Sequence, residues 1–131
     1  MREFKFRIWS RKVNTWLLTK YWGMNFDGKI IYPVGADCDD SDCIIQQYTG
    51  VKIGGVECYE GDIVEGRAKK SFVGSVGFVF WNKKASGFYI GKDSNGLKWS
   101  SSALSGGRLD PKIIGNICEN PELVKEHGLK I

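Results

Sequence analysis

Four cysteines, one histidine, a run of aspartates and a set of cations among aromatic rings are the residues of this 131-residue chain whose chemistry could matter. The thiols are Cys38, Cys43, Cys58 and Cys118, and the histidine is His127. A structural zinc site takes four ligands, usually in two close pairs. Cys38 and Cys43 form one such pair, but Cys58, Cys118 and His127 would have to be gathered by folding. The thiols therefore read as structural. A nucleophile needs a base beside it. His127 stands at the end of a short helical segment, where contact with the last carbonyls is its simpler role. Glu57, Glu60 and Asp62 supply carboxylates without the context of a glycosidase pair. The expectation is a chain with no catalytic residues, no cofactor and no metal site.

Asp37, Asp39, Asp40 and Asp42 could offer oxygens to a hard cation such as calcium. Set against the twelve-residue calcium loop, the sixth position is Asp42 where glycine is needed, and the twelfth is Tyr48 where glutamate is needed. A solvated acidic loop is the better reading. A phosphate-cradling Gly-x4-Gly-Lys-Ser/Thr pattern is absent.

The remaining candidate is a basic aromatic segment over residues 66–112. Its cations include Arg67, Lys69, Lys70, Lys83, Lys84, Lys92 and Lys98, and its rings include Trp81, Phe88, Tyr89 and Trp99. Cations neutralise phosphates, and exposed rings stack on unpaired bases. A nucleic-acid site here would draw on Arg67, Lys69, Lys70, Trp81, Lys83, Lys84 and Trp99. The competing reading puts the rings in the core and uses the lysines to guard strand edges. Alternation along the strand buries Phe78 and Phe80 and leaves the direction of Trp81 open.

Charge is laid out in blocks. Residues 1–24 carry six basic and one acidic side chain, residues 25–65 two basic and nine acidic, and residues 66–112 nine basic and two acidic. The net charge is +4. Such blocks serve solubility first and partners second. Apolar residues make up 42% of the chain, enough for a core in one domain. No apolar run approaches the ~20 residues of a membrane helix, and the opening Met1-Arg2-Glu3-Phe4-Lys5 has no secretory pattern. A cytoplasmic protein with reduced thiols and no membrane partner is expected.

The elements that would position these residues are mostly strands. Phe4-Lys5-Phe6-Arg7-Ile8 alternates, with Phe4, Phe6 and Ile8 inward and Lys5 and Arg7 to water. A turn at 10–14 leads to a second strand through Trp16, Leu18 and Tyr21-Trp22, making an N-terminal hairpin. Asp27-Gly28 precedes a short strand at 29–32, and Ile44 to Thr49 reads as another. Glycines at 50, 54 and 55 turn the chain into Val56-Glu57-Cys58-Tyr59, and Gly61-Asp62 opens Ile63-Val64. Residues 72–81 form a strand with a bend or bulge at Gly74 and Gly77, and Gly87 to Ile90 returns. Asn95-Gly96 signals another hairpin, residues 100–110 a loop, and Ile113 to Ile117 the last strand. A short helix follows, capped by Asn120, opened by Pro121, anchored by Leu123 and Val124, and closed by Gly128. The pattern predicts a mainly β fold, a small antiparallel, partly open barrel with an N-terminal hairpin and a short C-terminal helix.

Three stretches together resemble the YopX family. They are Met1-Arg2-Glu3-Phe4-Lys5-Phe6-Arg7-Ile8-Trp9, the central Gln47-Tyr48-Thr49-Gly50-Val51-Lys52 running to Glu57-Cys58-Tyr59-Glu60-Gly61-Asp62-Ile63-Val64, and Ile114-Gly115-Asn116-Ile117-Cys118-Glu119-Asn120-Pro121-Glu122-Leu123. The resemblance covers residues 1–131 as one such domain, divisible into an N-terminal β lobe at 1–45 and a barrel lobe at 46–131. It implies an SH3-like barrel and a phage or prophage origin, and supplies no catalytic residues. Cys58, Cys118 and the Asp37–Asp42 run depart from the pattern. The expected function is a non-catalytic binding or self-associating module, with itself or another protein as partner. The alternative is nucleic-acid binding through residues 66–112.

Overall fold

Strand pairing in the protein is set by where its glycine turns fall. A computed structural model describes residues 3–18, 23–24, 27, 30–31, 41–67, 74–93, 98–100 and 111–131. In chain order the strands are β1 (Phe6–Ser10), β2 (Thr15–Trp16), β3 (Gly23–Met24), β4 (Ile30–Ile31), β5 (Cys43–Ile53), β6 (Val56–Tyr59), β7 (Asp62–Arg67), β8 (Gly74–Asn82), β9 (Gly87–Gly91), β10 (Lys98–Ser100) and β11 (Lys112–Asn116), followed by helix α1 (Pro121–Glu126). Pairing is antiparallel throughout these strands: β2-β1-β5-β6, β10-β9-β8-β7-β11, and the short pair β3-β4. The fold is mainly β, and one sheet curls into a half-barrel. The chain divides into two compact units, Phe4–Gln47 and Tyr48–Ile131 with Met1–Glu3.

In the smaller unit β1 and β2 form the expected hairpin, Trp9 opposite Trp16 and Ser10 opposite Thr15. Asn14 takes a positive φ in the turn, a conformation that asparagine tolerates better than most residues. The hairpin is shorter than the alternation suggested. Its second strand stops at Trp16, Leu18 is exposed, and Tyr21-Trp22 lie outside the described residues. Phe4 is also exposed, whereas Ile8, Trp9 and Ser10 are all buried. Arg7 does not simply face water. Its Nε and Nη2 donate to Gln46 Oε1 at 3.1 and 2.9 Å, and its guanidinium lies 4.3 Å from the Trp16 ring centre. Gln46 is buried, so the charged donor meets an acceptor that water does not reach.

The larger unit has two core clusters, one on each side of the β8 row. Ile53, Cys58, Val64, Val79, Phe88 and Ile90 pack together, with Val51 and Ile113 against them. Ile63, Phe78, Phe80 and Leu129 form the second, lined by Leu123 and Val124 of the helix. Phe78, Val79 and Phe80 are consecutive and all buried. A short continuous apolar run is the signature of a strand covered on both faces, and β8 is one. Its register with β7 and β9 runs unbroken, so the expected bulge at Gly77 does not form. Gly77 serves close approach instead: a Cβ there would sit 2.9 Å from Ile90 Cγ2 and 3.0 Å from the Gly91 backbone. The breaks fall in β5, between Tyr48 and Lys52, and in β11, between Ile113 and Gly115.

Helix α1 starts at Pro121 and is followed by Gly128 at φ 62, as its punctuation predicts. The Asn120 side chain does not cap it. Asn120 Oδ1 turns back to accept from the Asn116 amide at 3.0 Å, and that oxygen would lie 2.7 Å from a Cβ at Gly115. Glycine at 115 lets the strand and helix start meet. After the helix, Leu129 is buried and the Lys130 amide donates to Lys92 carbonyl at 2.7 Å, forming a parallel bridge beside Asp93.

Candidate functional site

The basic aromatic segment is separated by the sheet into two ends. Trp81 closes the apolar run of β8, directly opposite Phe88 of β9, with ring centres 5.1 Å apart and edge to face. Phe88 is buried, while Trp81 keeps 41% of its surface exposed. Residues 83–86 then turn the chain. Asn82 Oδ1 accepts from the amides of Lys84 at 3.0 Å and Ala85 at 3.2 Å, and Ser86 adopts φ 49. An asparagine bonding its own following amides is a turn-forming device. Lys83 and Lys84 are exposed on this turn.

Arg67 stands at the other end. It pairs through its backbone with Gly74, the first residue of β8. A strand of nine residues, at about 3.3 Å each, puts roughly 26 Å between that end and Asn82. Lys69 and Lys70 lie outside the described residues. Trp99 is placed by its backbone opposite Ile90, the next-to-last residue of β9. Trp81, Lys83 and Lys84 are thus brought together, and Arg67 is not with them.

The residues of the central and closing stretches meet as architecture. Tyr48 and Tyr59 are cross-strand partners with ring centres 5.5 Å apart, and the Tyr59 hydroxyl donates to Glu57 Oε2 at 2.9 Å. Gly50 supplies φ 85 at the irregularity of β5. Next to it the buried Thr49 donates from Oγ1 to the Cys58 carbonyl at 2.8 Å and accepts from the Val51 amide at 3.2 Å. Gly61, at φ 84, donates its amide to Val79 and accepts from the Ile117 amide.

Asp62 Oδ2 accepts from the preceding Tyr59 amide at 2.8 Å, and its Oδ1 accepts from Asn116 Nδ2 at 2.9 Å. Asn116 Oδ1 in turn accepts from the Cys118 amide, and Asn120 Nδ2 donates to Glu122 Oε1 at 3.0 Å. That last bond, with the helix-start backbone, holds the Glu122 carboxyl below its ordinary pKa. The Asp62–Asn116 link was missed in the sequence because nothing local pairs residues so far apart. The only hint was that both follow a glycine in the resembling stretches.

Among the described residues no group of three His, Cys, Asp or Glu side chains is placed to hold a metal. Asp37 to Asp40 and Cys38 lie outside them, and the Asp42 carbonyl accepts from the Arg11 amide at 2.7 Å. His127 ends α1, half-buried, with its amide donating to the Leu123 carbonyl. Cys58 is fully buried in the first core cluster. Among the described residues no helix is long and apolar enough to cross a membrane.

Two solved structures share this fold. Protein EF1440 from Enterococcus faecalis is 26% identical and superposes with a TM-score of 0.60, over 95% of this chain and 99% of that one. Protein YopX from Bacillus subtilis is 14% identical with a TM-score of 0.64, over 94% of this chain and 98% of that one. No curated protein matches the sequence. The family model described as YopX protein matches residues 5–125, spanning the hairpin, the central turn and the helix. The chain belongs to the YopX family.

Proposed function

We propose that this chain is a non-catalytic, cytoplasmic binding module of phage or prophage origin, whose partner is a second copy of itself or another protein. The observation that carries the reading is the use made of the polar side chains in the family-like stretches. Asp62, Asn116 and Asn120 bond to one another's residues and to backbone amides, holding a turn, the last strand and the helix start together. These polar side chains are engaged in holding the fold together. Contact with a partner then falls to exposed apolar residues such as Phe4, Val13, Leu18 and Val56, and to the alternating charge blocks. Light scattering across protein concentration and salt tests this. Salt-sensitive self-association, or a partner recovered in pull-downs and reproduced with purified components, is expected. A strict monomer at every concentration, with no partner recovered, overturns it. The phage or prophage origin rests on the family likeness and is tested by the genes flanking the coding sequence.

A second reading is favoured by the β8–β9 turn. An exposed tryptophan beside two exposed lysines is the pairing of stacking surface and cation that unpaired nucleic acid uses. Binding to single-stranded DNA or RNA at low salt is its test, and no binding eliminates it.

A further inference from the structure

We infer that the nucleic-acid contact is confined to the tip of the β8–β9 hairpin, where one unpaired base stacks on Trp81 and the adjoining phosphates meet Lys83 and Lys84. This rests on the nucleic-acid reading above and narrows it to a footprint.

The sheet itself rules out a longer track along β8. Its central residues Phe78, Val79 and Phe80 are buried, and both of its edges are hydrogen-bonded, to β7 and to β9. From Gly66 to Lys92 the sequence holds six cations and no acid, which in isolation suggests one broad basic surface. The strand puts the Arg67 backbone at the far end, and among the described residues the tip sets Lys83 and Lys84 beside Trp81.

The tip is also preorganised. Asn82 fixes the turn through two backbone amides, and the buried Phe88 holds Trp81 from across the hairpin. A ring already ordered by the core loses little freedom when a base stacks on it. The apex residues Lys83, Lys84, Ala85 and Ser86 are all exposed, and none is a large apolar side chain. A membrane contact would want apolar groups at that apex. A base with its flanking phosphates wants a ring and cations, which are what the tip presents.

Fluorescence anisotropy with a labelled oligothymidylate, a duplex of the same length and anionic phosphatidylserine vesicles, each across a salt series, tests the inference. Single strand should bind better than duplex. Two phosphates neutralised on a single strand give a slope of log K against log salt of about −1.4, whereas six would give about −4. Trp81→Ala should weaken binding by roughly 5- to 150-fold, the range of one base stack. The double variant Lys83→Glu, Lys84→Glu should remove the salt dependence. It alters only exposed side chains, so its unchanged melting temperature separates lost binding from lost folding. A slope near −4, binding that survives both variants, or equal binding to duplex overturns the tip while leaving nucleic-acid binding standing. No binding to single strand at low salt, or binding to vesicles alone, overturns both. The self-association reading is then judged separately by light scattering.

Discussion

Asp62 and Asn116 stand 54 residues apart in sequence and share a 2.9 Å hydrogen bond between their buried side chains. The bond ties the start of β7 to the end of β11, two strands already paired in the sheet. Through Tyr59 and Cys118 amides the same two side chains also order the turns on either side. Removing one partner deprives a buried polar group of a bond that water does not replace. Asn116→Ala should therefore cost about 1–3 kcal/mol in urea unfolding. Asn116→Asp, which sets carboxylate against carboxylate, should cost more. A loss below that of an exposed substitution in either variant would show the link to be incidental.

Gly77 sits where β8 lies close against β9. Its Cβ would meet Ile90 Cγ2 and the Gly91 backbone at 2.9–3.0 Å, and backbone cannot move aside as a side-chain end can. Gly77→Ala should destabilise by about 1–3 kcal/mol, the range for overpacking, despite alanine's lower entropic cost in the folded chain. Thermal melting decides it. No change in melting temperature would mean that the two strands separate more easily than their register implies.

Phe78 packs 5.4 Å from Phe80 within the cluster that receives the helix. Truncation leaves a cavity bounded by two strands and α1, and a β-sheet between two layers has little room to collapse. Phe78→Ala should cost about 3–5 kcal/mol. Chemical denaturation of the full chain measures it.

The Glu122 carboxyl is held below its ordinary pKa first by the Asn120 side chain and then by the backbone at the helix start. A carboxylate of lowered folded pKa contributes stability that is present above its unfolded pKa and lost as pH falls through the folded value. Asn120→Ala should raise the Glu122 titration point toward its ordinary value, read by NMR. The group is solvent-exposed, so the titration, rather than the melting temperature, is the sensitive measurement. An unchanged titration point in the variant would reassign the shift to the backbone alone.

Much of the architecture was legible because it follows from local rules. The N-terminal hairpin, the turn at Gly54-Gly55, and the helix from Pro121 to Glu126 with Gly128 behind it all sit where alternation and glycine placed them. What misled was each place where distant chain supplies the neighbour. Phe78, Val79 and Phe80 are all buried because the helix covers the Phe78 and Phe80 face, while Ile53 of β5 and Cys58 of β6 pack on the Val79 face that alternation would have left to water. Arg7 is engaged because β5 sets Gln46 beside it. Asn120 leaves the helix uncapped because the Asn116 amide competes for its oxygen. Of the candidate site, Trp81 with Lys83 and Lys84 was readable as a hairpin end, but its separation from Arg67 required the length of β8. The Asn95-Gly96 turn, the acidic Asp37 to Asp40, and residues 101–110 lie outside the described residues.

The pairing of β7 with β11 has a consequence for biosynthesis. One edge of β7 finds its partner only after the ribosome has delivered residues 112–116, long after β8 and β9 are available on the other side. Until then the nascent sheet carries an uncovered row of backbone donors and acceptors next to apolar Ile63 and Val64, the kind of edge that invites association between chains. Truncation just before β11 should therefore yield an aggregating product rather than a soluble, partly folded one.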